Sequence, residues 1–260
     1  MAEMPQYSQG NSMEHGFNHI DEYNENRPHF GSYNLRFDLH DYLIESQTIY
    51  DSPNAKFSGH NDFNRFNSVS KDTKKYLAHY WNNEFNLDYD WTWEYFHSGE
   101  PAGLHTDYLS FPNSWKPNKD EITHDCFIVL GIIIPLEWTC KQPYTINYNH
   151  LSEVPRKLKF RKGEMRYQDN DEVLPYRDNF VYDEEVLKHN PQGTEYYKEY
   201  ADLTIHSTYK WKVGTATVFD TRRWHSSSWF LKDKMLPDKS TEYKRSIIGF
   251  ASIDVDRKGI

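Results

Sequence analysis

The sequence predicts a mainly β fold of the α+β type, a sandwich or jelly-roll barrel braced by helices near the amino terminus. Three observations predict it. The run from Cys126 to Leu136 is apolar on both faces, as in a central strand covered on both sides. Gly214–Asp220 and Arg245–Val255 are further short segments of small and β-branched residues, separated by irregular connections. Helical spacing precedes Trp91 and strand signals follow it, the order in which helices cover one face of a sheet.

In chain order, residues 1–30 are rich in Asn, Glu, Gly, Ser and His without periodicity and read as a loosely docked tail. Residues 31–260 then form one domain, a size at which barrels and sandwiches fold as a unit. Asp38 caps a helix through Ile49, with Leu39, Tyr42, Leu43 and Ser46 on one face. Ser52 to Asn67 is a loop. Ser70 caps a second helix that aligns Tyr76, Leu77, Tyr80 and Trp81. Trp91 opens an aromatic-rich strand that ends in a Gly/Pro turn. The interval 139–212 reads as a lid-like insertion, with a hairpin turning at Lys162-Gly163 and helical stretches near Asp183–His189 and Thr194–Leu203.

Composition narrows the function. A net charge of -9 disfavours a nucleic-acid partner, since phosphate backbones are held by excess Lys and Arg. Cys126 and Cys140 are the only cysteines, too few for a disulfide framework or a Cys-based zinc site. No apolar run follows a basic start, and none has the length of a membrane span. The expectation is a cytoplasmic protein with no membrane partner, acting on a small-molecule or peptide substrate. Aromatics at 17% supply a core despite few aliphatics.

The chemistry is concentrated in Trp91-Thr-Trp-Glu-Tyr-Phe-His-Ser-Gly-Glu-Pro-Ala-Gly-Leu-His105-Thr-Asp107-Tyr-Leu. In an extended segment residues i and i+2 point to the same side, so His105 and Asp107 can approach one metal ion together. His19-Ile-Asp21 and His60-Asn-Asp62 carry the same letters, but only the third pair follows a strand and a tight turn. Two histidines and one carboxylate on one face of a metal leave open positions for dioxygen chemistry. His225, just beyond the Gly214–Asp220 strand, is the choice for third ligand, ahead of His124. Arg245 opens an otherwise apolar strand, where a charge needs an anionic partner; Lys244 is the neighbouring alternative and points the other way.

The order strand, His-x-Asp, strands, His, Arg resembles the iron(II)/2-oxoglutarate-dependent dioxygenases on a double-stranded β-helix. "EYFHSGEPAGLHTDYL", with Tyr95, Gly99 and Tyr108 around the pair, is most similar to the prolyl-hydroxylase-like branch. The resemblance implies that His105, Asp107 and His225 bind Fe(II). It implies that Arg245 holds the distal carboxylate of 2-oxoglutarate and that Tyr95 borders that pocket. The tyrosine that some members of the family use as a second partner for the cosubstrate is missing from the apolar third strand, and Thr215 or Thr217 is expected to substitute. Trp93, Tyr108 and Trp224 are the candidates for a substrate wall. The implied reaction consumes O2 and 2-oxoglutarate, hydroxylates a C–H of a peptidyl or amino-acid-like substrate, and releases succinate and CO2. The competing readings are a non-redox, cupin-like metal enzyme and a non-catalytic jelly-roll binding protein.

Overall fold

The computed structural model describes residues 30–52, 64–102, 105–111, 126–152, 156–161, 164–167, 205–228 and 242–254. In chain order the elements are β1 (Gly31–Asn34), α1 (His40–Tyr50), β2 (Asn64–Ser68), α2 (Lys71–Phe85), β3 (Asp90–Ser98), β4 (Leu109–Phe111) and β5 (Cys126–Trp138). They continue with β6 (Tyr144–Leu151), β7 (Arg156–Arg161), β8 (Glu164–Tyr167), β9 (Ile205–Lys210), β10 (Thr215–Asp220), β11 (Arg223–Ser227) and β12 (Lys244–Asp254).

The strands form two sheets. The larger has the order β2-β3-β12-β5-β4-β7-β8, with β10 also paired to β5 and β1 to β10; the smaller is β11-β6-β9. All described pairings are antiparallel except β4 with β7. The mainly β, antiparallel, jelly-roll class expected from the sequence is the architecture observed. It is built as two sheets face to face rather than as a closed barrel. Contacts between the sheets establish the facing: Phe219 of β10 lies 4.7 Å from the His225 ring of β11, and Lys244 of β12 donates to Ser227 Oγ of β11.

Register assigns the described side chains of β10, β5, β12 and β3 to one of two faces. Val218, Ile132, Gly249 and Trp93 form one cross-strand row, and Ile134, Ile247 and Tyr95 continue it on the same face. This face packs against the helices, where Leu77 and Trp81 of α2 are fully buried and each contributes roughly 1.5–3 kcal/mol by burial. Gly249 is required here: a Cβ would come within 2.0 Å of the Trp93 ring. The opposite face carries Thr217, Ile133, Ile248 and Glu94 in one row and looks towards the smaller sheet.

The helices follow their local signals closely. Ser70 Oγ accepts from Thr73 N–H at 3.2 Å, the expected cap of α2. Asn86 ends that helix in the left-handed conformation, and the Asn82 amide ties it to β3 through Tyr89 O and the Trp91 indole. At α1 the cap position falls on Leu39, yet Asp38 still accepts from His40 N–H at 3.0 Å. Two stretches contain strands in addition. Part of the stretch read as a loop is β2, whose polar sequence, Asn-Arg-Phe-Asn-Ser, hides the strand paired to β3. The interval 139–212 contributes β6 and β9, two of the three strands of the smaller sheet, so sheet structure occupies both its ends. The hairpin within it is present as β7–β8. The helical stretches expected at 183–189 and 194–203 lie outside the described residues, as do the tail 1–29, His60, Asp62 and His124.

Candidate metal centre

The centre is assembled by backbone before side chains. The chain crosses from β10 of the larger sheet to β11 of the smaller at Thr221-Arg222, where Asp220 Oδ1 accepts from Arg222 N–H at 3.0 Å and the Asp220 carboxylate grips the Arg222 guanidinium at 2.6 Å. An aspartate accepting from the backbone two residues on is a turn former, and the ion pair reinforces it. Thr221 fastens the turn to β5 by donating its hydroxyl to Ile128 O at 2.7 Å. Asp107 N–H then donates to Thr221 O at 3.1 Å. His105 and His225 exchange both backbone hydrogen bonds, at 3.0 and 2.9 Å. Such directly opposed residues place their side chains on the same side, and Asp107 joins them by the two-residue strand period.

The structure therefore brings His105, Asp107 and His225 together, with one ligand atom of each within 4.8 Å of the others. His225 Nε2 is 3.1 Å from Asp107 Oδ2, and His105 Nε2 is 3.8 Å from Asp107 Oδ1. Around a first-row cation with bonds of about 2.1 Å, adjacent ligand atoms stand about 3 Å apart. Small side-chain rotations close the difference. His225 Nδ1 lies 3.0 Å from Arg223 O, which can only accept, so Nδ1 carries a proton and Nε2 is the ring nitrogen turned towards Asp107 and a metal. The His225 ring is buried, whereas about a third of the His105 side chain is exposed, so the site opens on the His105 side. Two imidazoles and one carboxylate suit a divalent transition metal and leave half an octahedron for other ligands.

A buried cation lies between the two sheets, on the face of β12 that looks towards β11. Lys244 is 3% exposed, donates to Ser227 Oγ and stands 4.7 Å above the Trp211 ring. Ser227 is two residues beyond His225 on the same strand. Burial pulls the Lys244 ammonium down to about 7, opposed by nearby Cys140. Folding thus depresses a pKa that is 10.5 in the unfolded chain. Between pH 7 and 10.5 the unfolded chain binds more protons, so this group makes the protein more stable as pH rises through that window. Ser246, on the same face of β12, has its hydroxyl fully buried without a hydrogen-bond partner.

Arg245 occupies the opposite face. Its guanidinium donates to Glu137 Oε1 at 2.8 Å, to Asp51 Oδ1 at 3.0 Å and to His97 Nδ1 at 3.2 Å. That network joins β12, β5, β3 and the end of α1 and points away from the triad. Burial, then Arg245 and Arg65, lower His97 to about 4, which leaves Nδ1 free to accept. Tyr95 and Trp93 share this face: Tyr95 donates to Glu45 Oε2 of α1 at 2.7 Å, and Trp93 packs on Gly249. Neither borders the triad. Thr217 is buried in the row that faces the smaller sheet. Tyr108 is buried beside Phe127, where burial raises its phenol, and Trp224 is buried next to His225 in the chain. Sequence reasoning passed over Ser227, Ser246 and Asn147. The only signal for the first two was their spacing of two from His225 and Lys244.

No protein-family model matches the chain, and no curated protein matches it. Solved structures similar to it include the epimerase SnoN in complex with Fe3+, alpha ketoglutarate and nogalamycin RO. That likeness is 13% identity over 91% of this chain and 84% of the other, at a TM-score of 0.49. A 2OG-Fe(II) oxygenase family oxidoreductase from Burkholderia pseudomallei is 10% identical over 97% and 95% of the two chains, at 0.40. A Pseudomonas putida prolyl-4-hydroxylase is 7% identical over 89% and 95%, at 0.38. With each of these TM-scores below 0.5, the functional reading rests on the geometry of this chain's own residues.

Proposed function

We propose that the chain is a 2-oxoglutarate-dependent non-haem iron(II) dioxygenase, with His105, Asp107 and His225 as the metal ligands. The observation that carries the reading is a two-histidine, one-carboxylate group and, on the facing strand β12, a buried lysine bonded to Ser227, two residues beyond His225. When bound, the ferrous ion supplies dioxygen activation coupled to decarboxylation of 2-oxoglutarate to succinate and CO2. Lys244 holds the distal carboxylate of the cosubstrate, which would be expensive to bury without a cation. Ser246 Oγ, buried and unpartnered, donates to the same carboxylate, and Ser227 positions the lysine. Thr217 lines the wall between the two sheets. His225 is held in one tautomer by Arg223 O. The substrate enters on the exposed His105 side, and the reaction is hydroxylation of a peptidyl or amino-acid-like C–H, as the prolyl-hydroxylase-like motif implies. Among the described residues no helix is long and apolar enough to cross a membrane.

The test is anaerobic addition of Fe(II) and then 2-oxoglutarate, followed by admission of air. A visible charge-transfer band and oxygen-dependent succinate are expected for the natural protein, and both are lost in His105→Ala and Asp107→Ala. Succinate release that survives loss of His105 rejects the ligand assignment. Metal-dependent turnover without oxygen would favour the non-redox enzyme, and absence of stoichiometric metal the binding protein.

A pH dependence follows from Lys244. Burial leaves the amine about half protonated at pH 7, whereas a bound carboxylate requires the ammonium. Affinity for 2-oxoglutarate is expected to fall about tenfold per pH unit above 7, until the pKa of the complex is reached. Anaerobic titrations from pH 6 to 9 measure it, and Lys244→Arg, always charged, gives a flat profile. An equal slope in both proteins opposes the assignment.

A further inference from the structure

The smaller sheet carries a polar group that the functions assigned so far do not use. Asn147 is the direct cross-strand partner of His225 in the β6–β11 pairing, so the two side chains leave the sheet on the same face as immediate neighbours. It is 2% exposed, and its Oδ1 is fully buried with no hydrogen-bond donor among the described residues. The position is not one that local structure demands, since the backbone of β6 is paired on both sides, to β11 and to β9. A buried amide oxygen left without a donor is a persistent penalty on the empty fold. An apolar residue of the same shape, such as leucine, would remove that penalty.

We propose that Asn147 is a positioning residue for the ligand shell of the metal, its Oδ1 accepting a hydrogen bond from water bound to the cation at His105, Asp107 and His225. Water on a divalent cation is a strong donor, and an amide oxygen beside a ligating histidine is a neutral acceptor that does not compete for the metal. Oδ1 thus acquires its missing partner only when the site is loaded. The inference rests on the metal-binding reading above, and its test separates the two.

The experiment uses the full chain loaded with cobalt(II), whose visible d–d bands report the coordination shell directly. Asn147→Leu is expected to weaken cobalt binding at least tenfold and shift the d–d bands, in the range seen when outer-shell partners of metal ligands are removed. The same variant without metal should melt about 3 °C higher, because the orphaned acceptor is gone. A residue with only a structural role would lower the melting temperature and leave the bands in place. Asn147→Asp keeps an acceptor there and retains the affinity. If Asn147→Leu does not fold, Asn147→Ala carries the same affinity and spectral readouts. Unchanged affinity and bands in a folded variant overturn the assignment of Asn147 and leave the triad standing. Failure of the natural protein to bind cobalt, or binding that persists in His105→Ala, overturns the metal reading itself and Asn147 with it.

Discussion

Lys244→Met is expected to raise the dissociation constant for 2-oxoglutarate more than 100-fold while leaving cobalt(II) or iron(II) affinity within about threefold. The variant keeps the length and apolar stem of the side chain and removes only the charge. Truncating one member of a buried, hydrogen-bonded charge pair costs about 3 kcal/mol, and each 1.4 kcal/mol is tenfold in affinity. Lys244 is the appropriate residue because it is buried between the sheets against Ser227 and Trp211, on the same face of β12 as the unpartnered Ser246 hydroxyl. Anaerobic titration of the metal-loaded protein, followed by the charge-transfer band, measures the cosubstrate constant. Retained affinity would place the distal carboxylate elsewhere. The empty variant should also be more stable than the natural protein below pH 7, since it no longer buries an ammonium.

The fold was legible wherever periodicity and turn chemistry act locally. The Ser70 cap, the run that became β5, and the segments that became β10 and β12 were each readable from a dozen residues or fewer. β2 was not, because Asn64, Asn67 and Ser68 lack strand propensity and owe their conformation to pairing with β3. β6 and β9 were absorbed into an apparent insertion for a similar reason: they are paired across more than fifty residues of intervening chain, and no local signal marks a strand as belonging to a second sheet.

The triad was legible for a different reason. The two-residue spacing of His105 and Asp107 is a local fact, and His225 stood just past a recognisable strand. What the sequence withheld was parity. Trp93, Tyr95 and His97 alternate with Glu94, Phe96 and Ser98, and either set can face the site until the sheet's neighbours are known. Lys244 and Arg245 pose the same problem more sharply, because both are charged and both are buried, at 3% and 4% exposure. Alternation sends one inward and one outward without saying which. Glu137 and Asp51 decide it, at 108 and 194 positions from Arg245 along the chain.

Arg245→Met is therefore expected to damage stability rather than cosubstrate binding. Arg245 is buried between Glu137 and Asp51, its Nε donates to His97, and the Tyr243 ring lies 4.7 Å from its guanidinium carbon. Removing one member of a buried ion pair costs about 3–5 kcal/mol, because the remaining charge has no partner. Here the abandoned carboxylates reach water, Asp51 being 69% exposed and Glu137 24%, so the loss lies near 3 kcal/mol. For a chain of this size that lowers the melting temperature by about 6–12 °C. The 2-oxoglutarate constant of the folded protein should change by less than threefold, since the guanidinium lies on the helix face. Arg245→Lys should recover only part of the stability: an ammonium cannot reproduce the three directed N–H bonds to Glu137, Asp51 and His97. Thermal melts paired with anaerobic titration read both quantities on one preparation. A 100-fold loss of cosubstrate affinity at unchanged melting temperature would return the anchor to Arg245 and remove Lys244 from the site.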